Sequence, residues 1–140
     1  MILLDTNVIS ALMRPRIDPA VTAYLAARAS DTLFTASLCE AEIRYGIARL
    51  PPGRRRDALG AAFESFLAEG FADRVLAFDS ACAAAYADIR VRREAAGLPI
   101  AVADAMIAGT ALAHGATVAT RNVDDFSRCG ITVENPWDPA

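Results

Sequence analysis

Lysine is absent from the 140 residues, and all fourteen basic residues are arginine. This absence excludes mechanisms that need a lysine as a nucleophile or as a phosphate ligand. Histidine is nearly absent as well, because His114 is the only one. A Ser-His-Asp or Cys-His hydrolase would depend on that single residue, and nothing near it in the sequence suggests such a site. His114 is instead typical of a helix carboxyl terminus.

Cysteine pairs and long apolar runs are also missing. Cys39, Cys82 and Cys129 are widely spaced, odd in number and without a CxxC pair, which favours free thiols over disulfides or a zinc knuckle. The apolar run at 100–113 is short and is interrupted by a charge, and the amino terminus has no basic region before MILLDTN. We therefore expect a soluble, cytoplasmic protein without a signal peptide or a membrane span.

The composition predicts one well-filled domain over residues 1–140. Hydrophobic residues make up 54% of the chain and the mean hydropathy is +0.28, which is ample for a core of this size. The formal charge of −3 gives no overall basic footprint. Binding to nucleic acid would therefore depend on local basic patches.

Short apolar runs alternate with longer helical stretches along the chain. Strands are predicted at 2–4, 33–35, 75–78, 117–119 and 131–133. Caps and stop signals predict helices at 19–29, at 37–50 with a capping box at Ser37, from Asp79 or Ser80 to Gly97, and from near Pro99 to His114. This alternation predicts a three-layer α/β/α domain with a mainly parallel sheet of about five short strands. The predicted helix at 37–50 and the helical segment after it can form a pair that extends away from the sheet.

Two carboxylates stand alone in the most apolar parts of the sequence. Asp5 is the only charge in residues 1–13, and Asp104 is the only formal charge in residues 95–120. An isolated carboxylate in apolar surroundings costs free energy unless it is paired, hydrogen-bonded or bound to a metal. Asp5 follows the first predicted strand, at the edge of a parallel sheet where ligands bind.

A third acid and a polar turn extend this pattern. Glu42 lies at the margin of the apolar stripe of its predicted helix, so its side chain can reach inward. The segment 120–126, TRNVDDF, follows the fourth predicted strand at another site-forming position. Oxygen ligands of this kind suit Mg²⁺ or Mn²⁺ better than zinc.

Structural explanations exist for each acid. Asp5, with Thr6 and Asn7, can cap a helix, and Glu42 can be an ordinary boundary carboxylate. Asp104 is harder to explain in this way, because a structural aspartate in an alanine-rich helix would need a buried partner.

In combination, these motifs resemble the PIN domain. They are MILLDTNVIS at the start, Glu42 in the second helix, the AxADAxIA pattern at 101–108, and TRNVDDF before a final NPW. More narrowly, the chain resembles the VapC-type ribonuclease toxins of bacterial toxin–antitoxin pairs, including their FitB-like branch. The resemblance spans essentially the whole sequence.

The resemblance implies an endoribonuclease that needs Mg²⁺ or Mn²⁺ and hydrolyses phosphodiester bonds with metal-activated water. It places metal ligands at Asp5, Glu42 and Asp104. A fourth catalytic position falls on Asn122, where many members have an acid, and Asp124 and Asp125 are the alternatives. One stably bound metal is expected in the free protein. Additional site or phosphate contacts are expected at Asn7, Thr120 and Arg121.

The resemblance also implies partners: an RNA substrate, a cognate VapB-type antitoxin, a second copy of the chain in a homodimer, and a toxin–antitoxin hetero-oligomer that reaches DNA only through the antitoxin. Two alternatives remain open. One is phosphotransfer chemistry on Asp5, which is weakened by the missing lysine and by Asn7, where the dehalogenase signature has a second aspartate. The other is a non-catalytic PIN-like module that acts on DNA through an antitoxin complex.

Two arginine-rich stretches have two interpretations. Residues 54–56 and the group Arg90, Arg92 and Arg93 can bind RNA or an antitoxin, although charge runs are usually solvated surfaces. Four aromatic residues are expected to pack in the core or between helices rather than to stack on bases: Tyr24, Phe63, Phe66 and Phe71.

Overall fold

The structure is a computed structural model that describes residues 1–138, and within them five strands and six α-helices alternate. The strands are β1 (Ile2–Leu4), β2 (Leu33–Ala36), β3 (Val75–Leu76), β4 (Thr117–Ala119) and β5 (Val133–Glu134). The helices are α1 (Thr6–Leu12), α2 (Pro19–Ala26), α3 (Ser37–Ala48), α4 (Arg54–Gly70), α5 (Ser80–Ala95) and α6 (Val102–His114). None of these helices is long and apolar enough to cross a membrane.

The five strands form one parallel sheet in the order β3-β2-β1-β4-β5. The central strand, β1, pairs Leu3 with Phe34 of β2 on one side and with Val118 of β4 on the other. Because β1 and β4 run side by side, their carboxyl ends place Asp5 and Thr120 at the same edge of the sheet. The predicted parallel α/β fold is confirmed.

Helices cover both faces of the sheet. Successive residues of a strand point to opposite faces, and β1 shows this directly. Leu3 packs in one apolar cluster with Ile107 of α6, whereas Leu4 packs in a second cluster with Val8 of α1 and Phe63 of α4. The two clusters are the two interfaces of a three-layer α/β/α domain, as the sequence predicts.

On one face, α5 and α6 pack at unusually short range around Gly109. A Cβ atom at this position would lie 2.9 Å from the carbonyl oxygen of Cys82 and 2.9 Å from the backbone nitrogen of Tyr86. Glycine is therefore required by close backbone approach, because real Cβ contacts are essentially never that short. This contact fixes α6, and with it Asp104, against the rest of the domain.

The predicted ends of two strands are wrong for a common reason. β3 ends at Leu76 rather than at residue 78, because its only partner is β2, which passes directly into α3 after Ala36. β5 is Val133–Glu134 rather than 131–133, because it pairs with Val118 and Ala119 of β4. Strand length here follows the available partner rather than the local apolar run.

Helix ends also depart from the prediction. The capping box at Ser37 is wrong: Ser37 is already helical, and Ala36 occupies the N-cap without a side-chain hydrogen bond. Asp18 and Asp79 do cap α2 and α5 as predicted, by accepting hydrogen bonds from Ala20 and Cys82. The last helix begins at Val102 instead of near Pro99 and ends at His114, with Gly115 as its C-cap in the left-handed conformation.

Candidate active site

A cleft of about 580 Å³ opens at the carboxyl ends of β1 and β4. It brings together the three acids that the sequence singles out, from the end of β1, from α3 and from α6. Polar and charged side chains dominate its walls. The lining residues are Asp5, Thr6, Asn7, Ser10, Ala11, Arg14, Arg16, Asp18, Glu42, Asp104, Arg121, Asn122 and Trp137.

Asp5 is both the N-cap of α1 and the most buried acid in the cleft, with 5% of its surface exposed. One carboxylate oxygen accepts a hydrogen bond from the backbone N–H of Thr6 at 2.7 Å, and the other accepts one from the Thr120 hydroxyl at 2.8 Å. Burial raises the pKa of Asp5 despite these two bonds, and the negative charges of Glu42 and Asp125 add to the effect. The capping interpretation of Asp5 is therefore confirmed, and it is compatible with a place in the cleft.

Asp104 lies in the first turn of α6 and is half-buried. Burial, followed by the negative charges of Asp5, Asp125 and Glu42, raises the pKa of Asp104 to about 6. Within residues 1–138, no arginine or histidine nitrogen lies within ion-pairing distance of this carboxylate. Asp104 therefore forms no ion pair within these residues, and the charge of Arg93 only partly offsets the effect of burial and of the neighbouring acids.

Glu42 reaches the cleft from α3, as its place at the margin of the apolar stripe predicts. Its side chain is exposed, and Oε1 accepts a hydrogen bond from the Thr6 hydroxyl at 2.9 Å. Thr6 thus contacts two acids at once, through its backbone N–H to Asp5 and through its hydroxyl to Glu42. Glu40, two residues before Glu42 on α3, instead pairs with Arg44.

The Thr120 hydroxyl, which is fully buried, connects the cleft to the turn after β4. It donates its only hydrogen to Asp5 and accepts hydrogen bonds from the Asn7 amide at 3.2 Å and from the backbone N–H of Asn122 at 3.1 Å. Asn7 in turn accepts from the backbone N–H of Arg121 at 3.3 Å. Thr120 and Asn7 therefore hold neighbouring groups in place.

Replacement of Thr120 by valine, which has nearly the same shape, is expected to lower the free energy of unfolding by about 2 kcal/mol. The change leaves a buried oxygen of Asp5 without its donor and removes the acceptor of two N–H groups. Denaturant unfolding monitored by circular dichroism measures the effect. Thr132→Val, at an exposed position, is the control, and equal stability of the two variants would contradict the role given to the hydroxyl.

The turn after β4 carries the candidates for the fourth catalytic position, and they lie in different places. Arg121 and Asn122 line the cleft, whereas Asp124 lines a neighbouring hollow with Asp138. Asp125 lies outside the cleft wall, but its negative charge helps to raise the pKa values of both Asp5 and Asp104. Of the three polar candidates at this position, Asn122 is the one that lines the cleft with the acids.

Several cleft-lining residues are not among the sequence-based site candidates, and Arg14, Arg16 and Trp137 are the ones with the largest side chains. The arginines belong to an irregular segment after α1, where no periodicity indicates which way a side chain points. Trp137 did carry a signal, since it is the only tryptophan and ends the NPW motif.

One arginine of the group on α5 has a structural role. Arg93 is 6% exposed and donates hydrogen bonds to the backbone carbonyls of Leu98 at 2.6 Å, Asp125 at 2.9 Å and Ser127 at 2.8 Å. The interpretation of Arg93 as a solvated or RNA-binding residue is therefore wrong. Its guanidinium ties the end of α5 to the turn that borders the cleft.

The cysteines and most of the aromatic residues behave as the sequence predicts. Cys39, Cys82 and Cys129 are free and buried. Burial and the nearby charge of Asp5 raise the pKa of Cys39 to about 11, so it is a neutral thiol beneath the cleft. The aromatic residues expected to pack do so in the second apolar cluster: Tyr24, Phe63, Phe66 and Phe71.

A separate group of metal-ligating side chains lies at the far end of α6. The ligand atoms of Asp79, Cys82 and His114 are all within 4.8 Å of one another. His114 ends α6, ten residues and roughly 15 Å along the helix from Asp104. Asp79 there caps α5, and the negative charge of Asp79 faces His114.

The donor chemistry of the cleft fits a hard divalent cation. Asp5, Glu42 and Asp104 offer only oxygen, which suits Mg²⁺ or Mn²⁺. Burial, together with the negative charges of the neighbouring acids, raises the pKa values of Asp5 and Asp104, so a bound cation would favour their ionised forms.

Comparison with known proteins gives a consistent result. The profile of the PIN domain family matches residues 2–131. The chain is 41% identical over 140 residues to VapC ribonuclease Y4jK of Sinorhizobium fredii, covering 100% of both chains. It is 41% identical over 137 residues to toxin FitB of Neisseria gonorrhoeae, covering 98% of this chain and 99% of the relative.

A solved structure agrees with these relatives. The structure of FitAB bound to the IR36 DNA fragment contains a chain that superposes with a TM-score of 0.92 at 40% identity, covering 100% of this chain and 98% of that one. The order of the acidic motifs, the parallel sheet and the overall similarity lead to one assignment. The protein belongs to the PIN-domain family, on the branch that contains VapC ribonuclease Y4jK and toxin FitB.

Proposed function

We propose that this protein is a divalent-metal-dependent endoribonuclease and the toxin of a VapBC-type toxin–antitoxin pair. The observation that carries the proposal is the convergence of Asp5, Glu42 and Asp104 on one cleft. Two of these acids have raised pKa values, and no cationic side chain within residues 1–138 pairs with any of the three. Carboxylates whose ionised form is unfavourable in the folded protein are candidates for binding a cation.

Asp5 and Asp104 would hold Mg²⁺ or Mn²⁺ directly, and Glu42 would hold it directly or through water. The bound cation would make a water molecule more acidic and would stabilise the negative charge that develops on the phosphate. Asn122 can contribute its carbonyl oxygen but no negative charge, and we therefore expect one stably held cation in the free protein.

The residues around the acids set their orientation. The Thr6 N–H and the Thr120 hydroxyl each engage one oxygen of Asp5, which fixes the carboxylate plane. The Thr6 hydroxyl holds Glu42 at the rim, where Glu42 can accept a proton from an attacking water or orient it. Such preorganisation matters because small displacements of reacting groups cost large factors in rate.

Arginines on the cleft walls would bind the phosphates of an RNA strand. Arg14, Arg16 and Arg121 are exposed and line the cleft, and no carboxylate among residues 1–138 pairs with them. A cleft with acids at its centre and free arginines at its rim suits a polyanion that is cut beside a bound cation. Lysine is not needed for this chemistry.

The proposed partners follow from the relatives. A relative was solved as FitAB bound to a DNA fragment, which supports a cognate VapB-type antitoxin for this chain and contact with DNA through that antitoxin. We also propose a homodimer, a toxin–antitoxin hetero-oligomer, a single PIN domain over residues 1–140, and a cytoplasmic location.

The test is cleavage of bulk cellular RNA by the purified, antitoxin-free protein with Mg²⁺, Mn²⁺ or EDTA. We expect RNA fragments with either metal and none with EDTA. Cleavage that continues in EDTA would contradict metal dependence. Failure to bind or cleave RNA with either metal would instead favour a non-catalytic module that acts through its antitoxin.

A further inference from the structure

Arg121 and Trp137 form a cation–π pair on the wall of the cleft. The guanidinium carbon of Arg121 lies 4.8 Å from the centroid of the Trp137 ring, and both side chains line the same cavity as Asp5 and Asp104. Stacking on an aromatic face holds a guanidinium flat and reduces its conformational freedom.

Both members of the pair are anchored. The backbone N–H of Trp137 donates to Asn135 at 2.9 Å, and its ring packs against the apolar cluster that contains Leu4 of β1. The backbone N–H of Arg121 donates to Asn7 at 3.3 Å, which ties it to the Thr120 and Asp5 network. The pair therefore has a fixed position relative to the acids.

The guanidinium of Arg121 is exposed and has no protein carboxylate to bind among residues 1–138. In this respect it differs from Arg28, which stacks on Tyr24 but also pairs with Glu134. The hydrogen-bonding capacity and the outer surface of Arg121 are thus left for a ligand.

We propose that the Arg121 and Trp137 pair is a nucleotide-binding platform, on which an unpaired base of the RNA strand stacks next to the acidic cluster. The inference rests on the proposed function. Arg121 would contact the base with its guanidinium plane, and Trp137 is a positioning residue that keeps this plane oriented. Unpaired bases stack in this way on arginine planes and aromatic rings in proteins that bind single-stranded RNA.

The platform has a consequence for substrate choice. In a duplex, bases already stack on one another and are not free to leave the helix without cost. A site that bound only the phosphates of a strand would not need its bases to be unpaired. The protein is therefore expected to prefer single-stranded RNA or loops over duplex RNA, even though its acids act only on the backbone.

The experiment uses the tryptophan itself as the probe. Trp137 is the only tryptophan, so fluorescence excited at wavelengths that tyrosine does not absorb reports on this pair. The Asp104→Asn protein, which is expected not to cleave, is titrated in Mg²⁺ with a short unstructured RNA and with a ribose-phosphate strand of equal length without bases. We expect quenching and about 10-fold tighter binding with the base-carrying strand.

Substitutions of arginine distinguish the contribution of stacking to RNA binding from the contribution of charge. Arg121→Lys keeps the positive charge but loses the plane, so it is expected to bind the base-carrying strand about 10-fold more weakly and the base-free strand unchanged. Arg49→Ala is the matched control, because Arg49 stacks on Tyr45 at 5.6 Å outside the cleft. Its loss should change neither titration.

Equal binding of the two strands, unchanged binding by Arg121→Lys, or no binding of either strand would each overturn the platform. Cleavage of bulk RNA by the wild-type protein is measured in parallel. If the wild type cleaves and binding does not depend on bases, the platform is refuted while the ribonuclease assignment stands. If the wild type neither binds nor cleaves RNA, the proposed function fails as well.

Discussion

Replacement of Asp104 by asparagine is expected to lower RNA cleavage by at least about 100-fold, since it removes one of the charged groups proposed to hold the metal. Asparagine has nearly the same volume, so the packing of α6 should be preserved. The measurement is the initial rate of RNA cleavage in Mg²⁺. Asp124→Asn is the matched control, because Asp124 lies in the neighbouring hollow and outside the cleft.

The same substitution is expected to stabilise the metal-free protein. The folded protein raises the pKa of Asp104 from 3.8 to about 6, so it binds this proton more tightly than the unfolded chain does. The stability that comes from the protonated form is complete below about pH 4 and is lost as the pH rises through 6. Above pH 6 the ionised Asp104 is therefore a cost that asparagine removes.

The expected gain is about 1 kcal/mol at pH 7, reduced from the full linkage value because the side chain is partly exposed. It should vanish at about pH 3, where Asp104 is protonated in both states. Unfolding of the two proteins in EDTA at both pH values measures it. A variant that is less stable than the wild type at pH 7 would identify Asp104 as a structural residue and would undercut the proposed site.

Replacement of Gly109 by alanine is expected to lower the free energy of unfolding by about 2 kcal/mol. The new Cβ would lie 2.9 Å from two backbone atoms of α5, at Cys82 and Tyr86. Backbone atoms cannot rotate away as a flexible side chain can, so α5 and α6 must separate slightly. Because α6 carries Asp104, RNA cleavage should decrease together with stability.

Gly60→Ala is also a glycine-to-alanine substitution within a helix, but it is expected to raise the free energy of unfolding rather than to lower it. Gly60 lies inside α4, and nothing is within 4 Å of the position that its Cβ would occupy. Alanine there should stabilise the protein by roughly 0.5 to 1 kcal/mol, because it reduces the freedom of the unfolded chain. Equal effects of the two substitutions in chemical denaturation would contradict the close approach of α5 and α6.

The acidic cluster was predictable because its members break strong local patterns. Asp5 and Asp104 are lone charges in apolar segments, and Glu42 sits at the margin of a helical stripe. The alternation of strands and helices predicted the parallel sheet, and the sheet places the end of β1 beside the end of β4. Each of these signals is local in sequence and needs no knowledge of long-range packing.

The remaining features depend on contacts between distant residues. Arg93 reads as part of a surface charge run, yet it is buried because three backbone carbonyls surround it. The strand β3 stops at Leu76 because its neighbour ends, which no property of 75–78 reveals. Arg14 and Arg16 reach the cleft from an irregular loop, and the pairing of Arg121 with Trp137 joins two segments that a further strand separates.

Binding of Mn²⁺, followed by the loss of the free-ion signal in electron paramagnetic resonance, tests most directly whether the acidic cleft is the metal site. Three proteins are compared: the wild type, Asp104→Asn and His114→Ala, the last of which disrupts the separate group with Asp79 and Cys82. We expect the wild type and His114→Ala to bind Mn²⁺ equally, and Asp104→Asn to bind it at least about 10-fold more weakly. Retained binding by Asp104→Asn together with loss in His114→Ala would place the cation at the far end of α6 and contradict the proposed site.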